Sequence, residues 1–179
     1  MKNNTVKTAF CSVIIALGVC VMLLASFLTT ISYSCAAIAG LLLLVIKLEF
    51  GTPHSLISFF IMSVLAFLFV PAKEVVVAFI ALFGYYPILK FYIDKIKSKI
   101  FNITVKLVLV NIVAILGYLA MKYLFFVPDV EFTVFGVYLP GLVLLFLNVV
   151  FLVYDYAING LIVAYNYRIR KLISKYLKF

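Results

Sequence analysis

The chain lacks tryptophan, has one histidine, His54, and carries only six acidic residues among 179. A ligand pocket that relies on indole stacking is therefore excluded. Zinc sites built on several histidines are excluded as well. The three cysteines, Cys11, Cys20 and Cys35, are odd in number and lie in apolar runs, so they are typical of small packing residues and not of a disulfide or metal framework.

Enzyme motifs are also missing. The sequence has no glycine-rich phosphate loop, no HExxH zinc motif and no G-x-S-x-G nucleophile turn. The single histidine follows Pro53 in a predicted loop, which is not the setting of a catalyst. We predict no catalytic residue, no bound metal and no cofactor.

Apolar residues make up most of the chain. They account for 68% of it, charged residues for 12%, and the mean hydropathy is +1.30. Soluble domains have about 45–50% apolar and about 25% charged residues. No soluble fold could bury this much apolar surface, so residues 1–179 are predicted to form a single transmembrane domain.

Six apolar segments are long enough to be considered as transmembrane helices. The first is longer than the apolar part of a secretory signal, which favours a retained helix. Residues Lys47 to His54 separate the second segment from the third. Pro71 ends the third segment, since proline disrupts a helix interior. The fold class is therefore an all-α polytopic membrane protein with six transmembrane helices, at about residues 9–28, 35–46, 55–70, 71–90, 105–127 and 138–165.

The basic residues indicate an orientation. With both termini cytoplasmic, 13 of the 15 lysines and arginines lie inside, and only Lys73 and Lys122 lie outside. This asymmetry explains the net charge of +9 without nucleic acid, for which no motif is present. It predicts an integral membrane protein. Residues 91–101 and the tail at about 167–179 have the pattern of amphipathic helices on the cytoplasmic membrane surface.

A candidate ligand site lies at the outer entrance of the fourth helix. Lys73 and Glu74 stand at its N-terminus, and together they would suit a ligand with a carboxylate or phosphate. Ala78 follows Glu74 on the same face and leaves room beside it. Alternatively, the two charges only mark the water boundary and cap the helix. Further along, Pro87 frees the carbonyl of Phe83 and bends the helix, or its neighbouring tyrosines form an interface belt.

The sixth helix carries a polar face. Asn148 and Asp155 lie on it at a spacing of seven residues. An aspartate inside a membrane costs about 2.5–3.5 kcal/mol and needs a partner, which Asn111, Tyr154 or a cytoplasmic lysine reaching inward could supply. Asn148 and Asp155 belong either to a ligand, proton or cation site or to a polar link between helices.

Small residues follow one face of the first helix. Ser12, Ala16 and Cys20 recur every four residues, and such a stripe lets another helix approach closely. That helix belongs either to this chain or to a partner. Ala36 and Gly40 form a second, shorter example on the second helix.

The pattern resembles the substrate-binding S components of energy-coupling factor transporters, in particular small members of unassigned substrate. The likeness rests on six short helices, the stripe on helix one, and the runs KLEFG (47–51), VPAKE (70–74) and FGYYPILK (83–90). It implies a protein embedded in a bacterial plasma membrane that captures a vitamin-like micronutrient from the outer side. The stripe, with serine and cysteine in place of two alanines, would meet the transmembrane coupling subunit, which works with a pair of ABC-type ATPases.

The resemblance also implies a place for the ligand. Family pockets lie in the outer half between helices four and six, under the loop after helix one, which adds Thr30 and Tyr33 to Lys73 and Glu74. One alternative is a structural or regulatory membrane protein whose basic cytoplasmic face docks a partner or anionic lipid. Another is an autonomous carrier that uses Asp155 as its proton or cation site.

Overall fold

The computed structural model describes residues 2–27, 31–96, 98–124, 133–134, 137–138 and 140–169. Within these residues the chain forms helices joined by short turns, and one small hairpin in which β1 (Thr133–Val134) pairs antiparallel with β2 (Val137–Tyr138). The helices are α1 (Lys2–Leu24), α2 (Ser32–Phe69), α3 (Lys73–Ala78), α4 (Tyr86–Ile93), α5 (Lys99–Leu124) and α6 (Pro140–Ala164), with π-helical turns at Phe79–Phe83 and Tyr165–Ile169.

In the part of the chain that the structure describes, five helical stretches are long and apolar enough to cross a membrane. The prediction of a helical chain with membrane-length helices is therefore confirmed. The second and third predicted transmembrane helices lie in one helix, α2. The five apolar stretches are Thr5–Leu24, Ser32–Phe69, Lys73–Ile93, Ile100–Gly117 and Leu144–Tyr167.

The long helix α2 folds back on itself at Gly51. It has 38 residues, and Gly51 interrupts them with φ 81° and ψ −173°. Beyond it, the Ser55 hydroxyl donates to the carbonyl of Leu43 at 3.4 Å. In a straight helix these residues would be about 18 Å apart. Residues 32–50 and 52–69 are therefore two arms that lie side by side and run in opposite directions.

The break in α2 is shorter than predicted. The sequence suggests an interruption from Lys47 to His54, whereas only Gly51 leaves the helical conformation. Pro53 is accommodated because it lies in the first turn of the second arm, where a backbone N–H has no helical partner to lose. Polar residues at the end of an apolar run thus mark the turn without unwinding the helix.

Replacing Gly51 with alanine should destabilise the protein by about 1–3 kcal/mol, because this φ and ψ combination is nearly exclusive to glycine. Thermal unfolding of the purified chain in detergent would measure the loss. Gly117→Ala is the matched control, since it lies within α5 and an added Cβ would meet nothing closer than 3.9 Å. Equal melting temperatures for the two variants would contradict the assignment of strain to Gly51.

Helix α1 packs along the second arm of α2. Cys11 of α1 and Ser58 of the second arm are both buried where the helices meet, and Gly18 leaves room for the end of Met62. Met62 is fully buried at this contact. Because the residue numbers rise together along both helices, α1 and this arm run in the same direction.

The segment from α3 to α4 crosses back beside both arms of α2. Phe59 of the second arm contacts the ring of Tyr85 with centroids 6.5 Å apart, and Gly40 of the first arm lies against the carbonyl of Phe83. The π-helical turn and residues 84–85 interrupt the helix before Pro87, which lies in the first turn of α4. The Phe83 carbonyl, which we expect Pro87 to free, accepts a hydrogen bond from the Tyr154 hydroxyl at 3.3 Å.

The predicted surface helix at 91–101 is wrong. Its first residues complete α4, a turn begins at Asp94, and α5 begins at Lys99. The apolar and basic residues alternate there because two helices meet, not because one helix lies on a surface. Most of the predicted basic tail, residues 170–179, lies outside the described residues.

Two ends of the helix bundle can be distinguished. The turn end contains Gly51, where the Thr52 and Tyr92 hydroxyls lie 2.9 Å apart and the Tyr165 hydroxyl donates to Glu49 at 2.7 Å. The opposite end is where α2 finishes and α3 begins, and we call it the Lys73 end.

Candidate functional site

A cluster of charges joins α4, α5 and α6 near the turn end. Asp155 on α6 accepts hydrogen bonds from the Tyr86 hydroxyl and from the Lys90 ammonium, both on α4. Lys106 on α5 lies 3.2 Å from Asp155 and 2.6 Å from Asp94. Lys90 also pairs with Asp94 at 3.4 Å. We call these five residues, Tyr86, Lys90, Asp94, Lys106 and Asp155, the charge cluster.

Local sequence explains how α4 and the first residue after it supply three members. Tyr86, Lys90 and Asp94 recur every four residues, so they lie on one helical face. The π-helical turn before α4 closes with one residue more than an α-turn, which shifts this face out of the register of α3. The tyrosine and lysine can therefore meet α6 while α3 packs its apolar residues elsewhere.

The cluster is electrically balanced. Lys90 is 1% exposed and Lys106 is 5% exposed, and two buried cations require nearby anions. Asp94 and Asp155 provide two negative charges. Burial works to raise the pKa of Asp94, but the hydrogen bond from Lys106 and the positive charge of Lys90 outweigh it and hold that pKa below its ordinary value. Asp94 is therefore ionised at neutral pH.

The charge balance within the cluster limits its capacity to bind a ligand. The carboxylate of Asp155 already accepts from three donors, so a ligand would have to displace one of them. Its geometry is that of a link between helices, the second of the two alternatives for this aspartate. Of its candidate neighbours, the structure places lysines, and not Asn111 or Tyr154, against it.

A second polar link lies between α5 and α6. The side-chain amides of Asn111 and Asn148 bond to each other in both directions at 3.1 Å. Each amide also donates to its own helix, Asn111 to Leu107 and Asn148 to Leu144. The predicted ligand residue Asn148 is therefore engaged in holding two helices together.

Lys73 and Glu74 lie at the opposite end from Asp155. The Lys73 ammonium donates to the carbonyls of Phe67 at 2.6 Å and Val70 at 3.0 Å, so it caps the last turn of α2. Glu74 is half-buried in the first turn of α3. This capping corresponds to the alternative in which Lys73 marks the boundary of the helix.

The remaining predicted ligand residues are spread along the bundle. Ala78 is half-buried at the end of α3, and Tyr33 is 60% exposed in the first turn of α2, at the Lys73 end. Thr30 lies outside the described residues. Lys73 and Lys90, the partner of Asp155, are separated by seventeen positions, which correspond to about 25 Å of helix. The structure therefore does not bring the predicted set together as one site.

The stripe on α1 faces outward. Ser12, Ala16 and Cys20 are all exposed, and within the part of the chain that the structure describes the Ser12 hydroxyl donates to the carbonyl of Thr8 in its own helix. The opposite face of α1 carries the residues that pack on α2, which include Cys11, Ile15, Val19 and Met22. In contrast, Ala36 is fully buried and Gly40 contacts the rest of the chain.

Sequence reasoning missed most of the charge cluster. Lys90, Lys106 and Tyr86 are not among the predicted site residues, although the spacing of Tyr86, Lys90 and Asp94 on one face was a usable signal. Across the ranges that the structure describes, no group of three histidine, cysteine or acidic side chains could hold a metal ion.

No protein-family model, no curated protein and no solved structure matches the chain.

Proposed function

We propose that this chain is the substrate-binding subunit of an energy-coupling-factor type importer, with six membrane passes and both termini in the cytoplasm. It would have no catalytic activity of its own and would deliver a small vitamin-like molecule to a transmembrane coupling subunit and a pair of ABC-type ATPases. The observation that supports this proposal most is the exposed stripe on α1.

The small side chains of the stripe distinguish this face of α1 from a helix face that meets only lipid. A helix face that meets only lipid gains nothing from small side chains, whereas a face that meets another helix does. Ser12, Ala16 and Cys20 are exposed, while the large residues beside them, Val13 at 63% and Leu17 at 47%, flank the stripe. The small residues thus form a shallow channel that a partner helix could enter.

The six passes are supported by the direction of the helices. The two arms of α2 run in opposite directions, and each is close to the roughly 20 residues that a membrane requires. Together with α1, the segment 73–93, α5 and α6, the two arms give six passes, and successive passes run in opposite directions. This arrangement puts Lys73, Glu74 and Tyr33 at the outer end, where Thr30 would join them around a ligand.

Ala16→Leu should abolish association with the coupling subunit, because the larger side chain fills the channel. Purification from native membranes in a mild detergent, followed by mass spectrometry, would identify the ATPases and coupling subunit beside the wild-type chain. Ala157→Leu is the matched control, since Ala157 is exposed on α6 away from the stripe. Recovery of the wild-type chain alone would refute the proposal and favour a structural or regulatory membrane protein.

A further inference from the structure

Two lysines and two aromatic rings meet at the turn end, apart from the charge cluster. The Lys47 ammonium lies 5.1 Å from the ring centroid of Tyr92 and 5.6 Å from that of Phe91. The Lys95 ammonium lies 5.3 Å from the same Tyr92 ring. Thr52 completes the group, because its hydroxyl accepts from Lys47 and lies 2.9 Å from that of Tyr92. We call Lys47, Thr52, Phe91, Tyr92 and Lys95 the basic aromatic patch.

Among the described residues, no carboxylate forms an ion pair with the two lysines of this patch. The four ion pairs found among the described residues all belong to the charge cluster. Neither Lys47 nor Lys95 has a carboxylate within 4.0 Å in those ranges. The nearby acids have other partners: Glu49 accepts from Tyr165, and Asp94 pairs with Lys90 and Lys106.

The hydroxyl groups add a donor. Thr52 and Tyr92 share one hydrogen bond, in which either can be the donor. Since the pair has two hydroxyl hydrogens and the shared bond uses one, the other hydrogen can be donated to a ligand. Lys47 gives one of its three N–H groups to Thr52 and has two more. The patch therefore presents ammonium and hydroxyl donors together, which is the set that a phosphate oxygen accepts.

Its position indicates the source of the phosphate. The patch lies where the two arms of α2 meet at Gly51 and where the apolar stretch Lys73–Ile93 ends, which is the turn end of the bundle. Phosphates of membrane lipids lie at this level, as do interfacial tyrosines and lysines. Tyr92 is 49% exposed, so the patch is open to the surrounding lipid. We propose that the basic aromatic patch binds the phosphodiester of an anionic phospholipid, independently of whether the chain is a transport subunit.

The test titrates delipidated full-length protein with phosphatidylglycerol and with phosphatidylcholine of the same acyl chains, and counts bound lipids by native mass spectrometry. We expect tighter binding of phosphatidylglycerol. Lys47→Gln and Lys95→Gln should each weaken it about fivefold, the usual effect of one lysine near an anionic membrane surface. Lys95 is exposed, so its variant should fold even if the half-buried Lys47 does not tolerate replacement.

The matched control is Lys7→Gln. Lys7 lies near the start of α1, three residues before Phe10, and the ring of Phe10 contacts Phe50 beside the turn. The Lys7→Gln variant therefore removes one positive charge at the same end of the bundle as the patch. An equal loss with Lys7→Gln would show diffuse attraction and overturn the proposal. Equal binding of the two lipids would overturn it too. Displacement of the lipid by an equal concentration of glycerol 3-phosphate would show a site for soluble phosphate instead.

Discussion

Replacing Asp155 with asparagine should lower the free energy of unfolding by about 3–5 kcal/mol, the usual cost of removing one partner of a buried ion pair. The two side chains have nearly the same size, so the loss is electrostatic. Lys90 and Lys106, both almost fully buried, would be left with Asp94 as their single shared anion. Unfolding of the purified full chain in mixed detergent micelles, followed by circular dichroism, would measure the change.

Two further variants separate pairing from a general loss of charge. Asp94→Asn removes the same charge, but its side chain is 38% exposed, against 16% for Asp155, so water replaces more of the interaction and the loss should be smaller. The double variant Lys90→Met/Asp155→Asn should recover most of the stability, since Lys106 and Asp94 remain balanced and the amide oxygen still accepts from Tyr86. Failure of the double variant to recover would contradict the charge-balance argument.

The second large effect is expected at Gly40, where three segments meet. A Cβ at this position would lie 2.8 Å from both the carbonyl carbon of Phe83 and the Tyr154 hydroxyl oxygen, and closer still to the Phe83 oxygen. Because two of these atoms belong to backbone, the helices must separate. Gly40→Ala should destabilise the protein by about 1–3 kcal/mol or more, the usual cost of overpacking. It should also weaken the hydrogen bond from Tyr154 to Phe83.

Two other glycines provide the comparison. Gly160 has nothing within 4 Å of an added Cβ, so Gly160→Ala should leave stability unchanged or raise it slightly through helix propensity. At Gly18 the added atom would meet the flexible end of Met62, which can turn aside, so Gly18→Ala should cost less than Gly40→Ala. If all three variants unfold alike in the same detergent assay, close backbone approach is not what makes Gly40 important.

Much of the helical architecture could be predicted from the sequence. Long apolar runs and the proline at position 71 place the helices, since backbone groups in lipid must pair within their own segment. The exact turn in α2 could not be predicted, because Lys47 and Glu49 break the apolar pattern but not the helix. The number of membrane passes stays a prediction, since it depends on how the two arms of α2 cross the bilayer.

The candidate site was less accessible to sequence reasoning. The cost of an aspartate inside a membrane predicts that Asp155 has a partner. It cannot select Lys90 and Lys106, because they come from two other helices whose rotation depends on the π-helical turn and on packing against Tyr154. Lys73 illustrates the converse, since a lysine at a helix boundary equally suits a ligand or the carbonyls of the preceding helix.

The reversal of α2 at Gly51 has an electrostatic consequence of its own. Each arm carries a macrodipole, with partial positive charge at its N-terminus and partial negative charge at its C-terminus. Because the C-terminus of the first arm and the N-terminus of the second meet at one glycine, the opposite partial charges lie side by side and largely cancel. The energy of α2 as a whole would therefore depend little on a membrane potential, whereas the energy of one straight helix of the same length would depend on it through its full macrodipole.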